Sequence, residues 1–492
     1  MKKYFFATMF IHFTFLGYAE TVKGKFRYSD QDPTTGAITF KPIIYSNVEV
    51  WSITPGGTWQ IETRTTTDVN GEINVLMQWK RARVTYGIRI VAENYACRVN
   101  TQRTWSTFFT HPMLNGKEIK KVVRNKNDVL DFSCDFTDLY ISQHFNVCCT
   151  ILKGYEYAAM HREPTETDIV HQVAVSSEII LANSYYSTAA IQLKPENYFE
   201  DLLILHEYAH HIEFCVSTFG MIITNHDGCN MDGVFGGLTS LKREEAAWME
   251  GYANFFAQAV NRAFPLEKFV GNSGSLSGYM LEYPHCNAST YQANETELYI
   301  AAVLWDLIDD FSPNPNEIYD DIYQNLDEEI FYVFDKELDN GAWPTFSRFL
   351  NAWNGRGYAN INKIICQNNQ MLFTNSVFRK LSGKASFRQL SNTLFEVQVD
   401  AYDECGDLVM VDVYDESNSF ISKSSTKFTI NTNCSTTKKN KKKIIQTGNK
   451  PIEITIPCET ITCSKASYKF VLQKVGYLNG VTYIKISKDS CK

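Results

Sequence analysis

The run Asp201-Leu-Leu-Ile-Leu-His-Glu-Tyr-Ala-His-His-Ile-Glu-Phe214 constrains this chain of 492 residues more than any other stretch. Its apolar residues suit a helix. On a helix, His206 and His210 lie four residues apart on one face, with Glu207 beside them. Two imidazoles so placed can share a metal ion, and the glutamate between them can serve as a base, which is the H-E-x-x-H zinc arrangement. A fold built around it must bring a third donor to this helix, because a catalytic zinc takes three protein ligands and keeps a fourth position for water.

The third donor is sought in Glu244-Glu-Ala-Ala-Trp-Met-Glu-Gly-Tyr-Ala-Asn-Phe-Phe256, a second helical pattern. Glu250 lies 40 residues beyond His210 and is the candidate. Glu244 and Glu245 compete with it, but Glu250 alone is followed by Gly251 and Ala253, small residues that let this helix approach the zinc helix closely. His211 points about 100° away from His210 around the helix and cannot replace it. It reads as a residue behind the ligands or at the surface. Asn254, one turn after Glu250, is either a partner of a ligand imidazole or a surface residue. Trp248, Phe255 and Phe256 read as core packing.

With these residues in place the chain resembles the gluzincin metallopeptidases, which join H-E-x-x-H on one helix to a Glu-Gly-x-Ala glutamate on a later one; here that element is Glu250-Gly251-Tyr252-Ala253-Asn254-Phe255-Phe256. The segment from His206 to Phe256 is similar to the corresponding stretch of bacterial collagenases and of the aminopeptidase N family, with a longer spacing than in those aminopeptidases. Glu297 to Asp309 looks like a helix found downstream in secreted members of the class. The resemblance implies Zn²⁺ held by His206, His210 and Glu250, with Glu207 as general base toward a peptide bond. It also implies an oxyanion donor from a later segment, with Tyr299, Tyr283 and His285 as candidates. Gluzincin domains place an edge strand above the cleft, where an extended substrate can add; Ala189 to Leu193 is the candidate, with an ordinary core strand as the alternative. No Gly-x-Met-Glu-Asn motif is found, which favours an endopeptidase.

The rest of the chain sets the frame. Residues 1–19 carry Lys2 and Lys3, an apolar stretch from Tyr4 to Leu16 and a small-residue exit at Gly17-Tyr18-Ala19, the pattern of a signal peptide cleaved after Ala19. No later run is long and apolar enough to span a bilayer, so the expectation is a secreted protein without an integral membrane anchor. The net charge of −8 becomes −10 once Lys2 and Lys3 leave, which argues against nucleic acid as a partner. The lone basic run, Lys438 to Lys443, reads as a solvated loop. Thirteen cysteines, an odd number, imply several disulfides of unknown connectivity with at least one thiol left over. Cys215 and Cys229 are equally open to bridging or freedom. Sequons at Asn287, Asn294 and Asn433 are compatible with glycosylation, and the first two predict an exposed loop over 285–296.

Three segments are expected, in a multidomain architecture. Alternating runs such as Asn47 to Trp51, Glu72 to Leu76 and Tyr86 to Val91 predict a β-sandwich over 20–115, similar to transthyretin-like modules, with Asn70-Gly71 as a hairpin turn. Residues 128–381 predict an α+β, zincin-like catalytic domain, with a helix over Phe136 to Met160 and strands at His171 to Ser176 and Thr188 to Leu193. Residues 386–492 return to alternation and predict a second, disulfide-supported β-sandwich. The expected partner is a protein or peptide substrate, with a glycan or surface ligand for the sandwiches. The rival reading is a non-enzymatic surface or adhesion protein that keeps a peptidase-like core.

Overall fold

The computed structural model describes most of residues 19–368 and, beyond them, only the backbone of the strands between 382 and 487; residues 1–18, 33–34, 79–83, 101–106, 110–112, 115–116, 119, 123–127, 178–182, 188–189, 219–228, 230, 232–237, 267–280, 282–283, 285, 287–291, 310–322, 340, 359, 363, 366–367 and 369–381 lie outside the description, as do those between the later strands. The protein is α+β with several separate sheets. Two compact units are built from interleaved stretches, residues 1–221, 256–270 and 339–342 forming one, and 222–255, 271–338 and 343–492 the other.

The first unit is organised by β1 (Ala19–Gln31). Its Val22, Phe26 and Tyr28 are buried, whereas Lys23, Lys25 and Arg27 point outward, the two-residue period of a half-buried strand. Along one edge it pairs antiparallel with β5 (Glu72–Gln78) and then β2 (Ile38–Pro42); along the other it pairs parallel with β11 (Val129–Asp131) and then β12 (Cys134–Phe136). Each outward cation meets an acid on a neighbouring strand: Lys23 with Asp131 at 3.5 Å, Lys25 with Glu72 at 2.9 Å and Arg27 with Asp135 at 2.6 Å. Exposed pairs of this kind stabilise little, so their value lies in fixing register.

A second sheet has the order β10-β6-β3-β4, from β3 (Asn47–Ile53), β4 (Gln60–Thr66), β6 (Thr85–Ile90) and β10 (Lys120–Val122), and β8 (Met113–Leu114) pairs with β9 (Lys117–Glu118). Asn70-Gly71 does form a turn, with Gly71 at φ 73° and Asp68 Oδ1 accepting from Asn70 N and Glu72 N at 2.8 Å each. It is not a hairpin, because β4 pairs with β3 while β5 pairs with β1, so the turn passes the chain from one sheet to another.

A third sheet, β14-β15-β13-β7, contains β7 (Cys97–Val99), β13 (Val173–Ser177), β14 (Tyr185–Ser187) and β15 (Ala190–Leu193). The strand expected at the edge, β15, is interior and buried throughout; β14 takes the edge. Helix α1 (Leu139–His161) starts where Asp138 accepts from Tyr140 N, three residues later than Phe136, which is spent in β12. It packs against α2 (Asp201–Val216).

Asp201 opens α2 in a fully buried position, where it accepts from Asn146 Nδ2 at 2.8 Å and Thr150 Oγ1 at 2.6 Å and lies 3.9 Å from Lys41 Nζ. Burial, opposed by Lys41, pushes its carboxyl up to about 6. A raised carboxyl favours the folded state most below its unfolded pKa, near 4, and loses that contribution as pH climbs through about 6. Urea titrations should therefore show a fall of about 2–3 kcal/mol across this window, absent in Asp201→Asn.

Helix α3 (Ser240–Ala263) is one unbroken helix whose residues 240–255 belong to the second unit and 256–263 to the first. In the second unit Trp248 and Tyr252 are buried, Trp248 against Phe349 (ring centroids 5.2 Å) and Tyr252 stacked on Phe334 (4.3 Å). Helices α4 (Glu297–Trp305), α5 (Asp327–Tyr332) and α6 (Phe346–Gly355) also belong to it, the last capped by Thr345 and burying Phe346, Phe349 and Trp353 along one face. Cys229 is bridged to Cys286. The stretch ending at 296, expected to be exposed, closes in a tucked turn, with Glu295 buried and held by Arg243 at 2.8 Å.

The C-terminal strands are β16 (Ser382–Ser391), β17 (Leu394–Tyr402), β18 (Met410–Tyr414), β19 (Phe420–Ser424), β20 (Lys427–Asn431), β21 (Ile452–Thr455), β22 (Lys465–Gln473) and β23 (Gly480–Ser487). They form two four-stranded sheets, β16-β17-β20-β21 and β19-β18-β22-β23. Among the described residues no helix is long and apolar enough to cross a membrane.

Candidate metal centre

Helix α2 is unusual in what it buries. Asp201, His206, Glu207, His210, His211 and Glu213 are all at most 8% exposed, six ionisable groups on a helix of 16 residues. Ionisable side chains are kept out of water only where partners offset the loss of hydration, so each must have a role in the interior.

Two of those groups converge with a carboxylate from α3. His206, His210 and Glu250 each offer a ligand atom, and these atoms lie within 4.8 Å of one another. The two imidazoles stand edge to face, with ring centroids 4.9 Å apart, as i and i+4 positions on α2 allow. Two imidazole nitrogens and one carboxylate oxygen form a donor set suited to Zn²⁺ with one position left for water. Glu207 is 5% exposed on the same turn.

Glu213 is the residue beside the cluster that the sequence reading missed. It is 1% exposed, and its Oε2 lies 3.0 Å from His210 Nδ1. With Nδ1–H donating to that carboxylate, His210 presents Nε2 as its lone-pair nitrogen. The signal was there to be found, since residue i+3 from a ligand histidine shares its helix face.

The other candidates separate clearly. Glu244 accepts from Ser347 N at 2.8 Å and Glu245 pairs with Lys242 at 2.6 Å, so both have other work. His211 is buried behind the ligands, its Nε2 2.8 Å from His171 O and its Nδ1 3.3 Å from Tyr186 Oη; burial lowers its pKa. Asn254 is 1% exposed rather than at the surface and donates to Glu297 Oε1 at 3.4 Å. Tyr299 is 2% exposed and gives its hydroxyl hydrogen to Ile365 O at 3.2 Å. Tyr283 and His285 lie outside the described residues.

Gly251 also serves a different neighbour from the one expected. A Cβ there would stand 2.8 Å from Glu297 O and 2.8 Å from Ile300 Cβ, so the missing side chain lets α3 press on α4. Gly251→Ala should lower unfolding stability by about 1–3 kcal/mol through overpacking, read as a drop in the denaturant midpoint.

Residues 159–359, which contain the cluster, match the family described as the mycolysin C-terminal domain, a metallopeptidase-related family. A protein of Archaeoglobus fulgidus, described as uncharacterized, is 28% identical over 208 residues, 40% of this chain and 54% of that protein. The chain thus matches about half the length of that relative. A 9R-lipoxygenase structure from Cyanothece PCC8801 is similar over 29% of this chain and 24% of its own at 14% identity, with a TM-score of 0.13.

Proposed function

We propose that this chain is a zinc-dependent metallopeptidase of the gluzincin type, an endopeptidase whose zincin-like domain spans about 128–381 between β-sandwich modules at 20–115 and 386–492. We further read it as exported after loss of residues 1–19, with protein or peptide as substrate. The observation that carries the reading is the convergence of His206, His210 and Glu250 next to Glu207. The mycolysin match over the same segment supports it.

His206, His210 and Glu250 would hold the ion. When bound, zinc polarises the scissile carbonyl and lowers the pKa of a water molecule toward about 7. Glu207 would accept a proton from an attacking water as the water oxygen adds to the carbonyl carbon. It then delivers the proton to the amine nitrogen as the carbon–nitrogen bond breaks. Glu213 keeps His210 in the tautomer a ligand needs. At the sheet edge, β14 offers main-chain groups to which an extended peptide can add as another strand.

Metal analysis of the purified protein, together with digestion of a mixed peptide library with and without a chelator, tests the reading. We expect about one zinc per chain and internal cleavages that stop on chelation and return with added zinc. Zinc without cleavage would overturn the peptidase reading, and absence of zinc would overturn the site.

A further inference from the structure

We propose that Cys97 and Cys148 become joined by a disulfide, a cross-link that ties β7 to α1. Both residues are fully buried, and Cys97 Sγ lies 3.7 Å from Cys148 O. One asparagine holds both. Asn94 Oδ1 accepts from Cys97 N at 3.0 Å, while Asn94 Nδ2 donates to Cys148 O at 3.1 Å and lies 3.2 Å from Cys148 Sγ. Burial first, and then the neighbouring Cys97 side chain, raise the pKa of the Cys148 thiol. The two cysteines, one at the start of a strand and one inside a helix packed on it, are thus side by side around Asn94, the placement from which a cross-link between the two elements can form. Cys149 and Cys215 face elsewhere, Cys149 toward Pro42 O at 3.8 Å and Cys215 toward His211 Nε2 at 3.5 Å.

The bond forms by thiol–disulfide exchange with a small disulfide such as oxidised glutathione. The two cysteine sulfurs are oxidised and join, and the reagent is reduced, its sulfur–sulfur bond breaking to leave two thiols that carry off both protons. Timing follows from burial. The folded environment holds the Cys148 thiol well above its ordinary pKa, which suppresses the attacking thiolate, so the exchange belongs to folding, before α1 closes on β7. Because α1 also packs against α2, the cross-link braces the helix that carries His206 and His210. This inference rests on the exported reading above, since such bonds persist in oxidising compartments.

The test uses the full chain collected from the medium of a secreting host, unfolded in an alkylating agent, digested without reductant and mapped by mass spectrometry. We expect a peptide with Cys97 joined to one with Cys148, lighter by two hydrogens than the sum of the separate peptides, beside the Cys229–Cys286 pair. In Cys97→Ser, Cys148 should become alkylated. If Cys229 and Cys286 are joined while Cys97 and Cys148 both carry the alkyl group, the proposal is overturned and export stands. If all four are alkylated, or no protein reaches the medium, the exported reading fails. The purified chain refolded in a glutathione redox buffer then decides the pair: a joined peptide upholds the proposal, and two alkylated cysteines overturn it.

Discussion

Glu207→Gln should leave zinc content unchanged and lower the rate of peptide hydrolysis by about 10²–10⁴-fold, the span that removal of a general acid–base group commonly costs. Glutamine keeps the volume and one oxygen of the side chain but cannot take up the proton of the attacking water. Because Glu207 is buried, a neutral amide also asks less desolvation than a carboxylate, so the variant should fold. Metal analysis and steady-state kinetics on one preparation separate the two properties. A variant that lost both zinc and activity would show Glu207 to be part of the metal cage, and one that kept its rate would remove it from the chemistry.

Glu213→Ala should weaken zinc binding by about 10–100-fold, the cost typical of removing the outer partner of a ligand histidine. The physical cause is specific. The Glu213 carboxylate 3.0 Å from His210 Nδ1 fixes both the ring's orientation and the nitrogen left for the metal. Without it, the imidazole can turn and can exchange its proton between nitrogens, and ordering it again is charged against binding. Competition with a chromophoric chelator measures the loss, and a circular dichroism melt controls for folding. Glu213→Gln, which can still accept from Nδ1–H through its amide oxygen, should recover part of the affinity. If the alanine variant melted earlier but bound zinc as before, the carboxylate would be a packing group and nothing more.

The two helices that carry the candidate metal cluster were legible in the sequence because a 3.6-residue apolar period and a fixed spacing of candidate ligands both leave traces in one dimension. Asp201 to Phe214 and Glu244 to Phe256 therefore fall inside α2 and α3. What a residue touches was less accessible. Gly251 read correctly as a point of close approach, but only the fold reveals that the approaching element is α4. Tyr299 had the right chemistry for an oxyanion donor, yet its hydroxyl is taken by a carbonyl 66 residues away. Strand order was hidden for the same reason: alternation identifies β15 as a strand and cannot say that β14 lies outside it, nor that the strands flanking Asn70-Gly71 part into different sheets. For Glu213 the i+3 spacing from His210 was legible, and only the fold adds that its carboxylate meets Nδ1 of the ring.

The central position of β1 has a consequence for biosynthesis. As the chain emerges from its amino end, β1 can meet β2 and β5 within a few dozen residues, but Arg27 cannot reach Asp135 until 108 more residues have been made. During that interval one whole edge of the strand stands open, with main-chain groups that any passing extended segment can capture. The outward row Lys23, Lys25 and Arg27 then works as a guard as well as a ruler. It repels other cationic strands and discourages copies of itself, and it accepts the late arrivals bearing Asp131 and Asp135 in the one register that neutralises it.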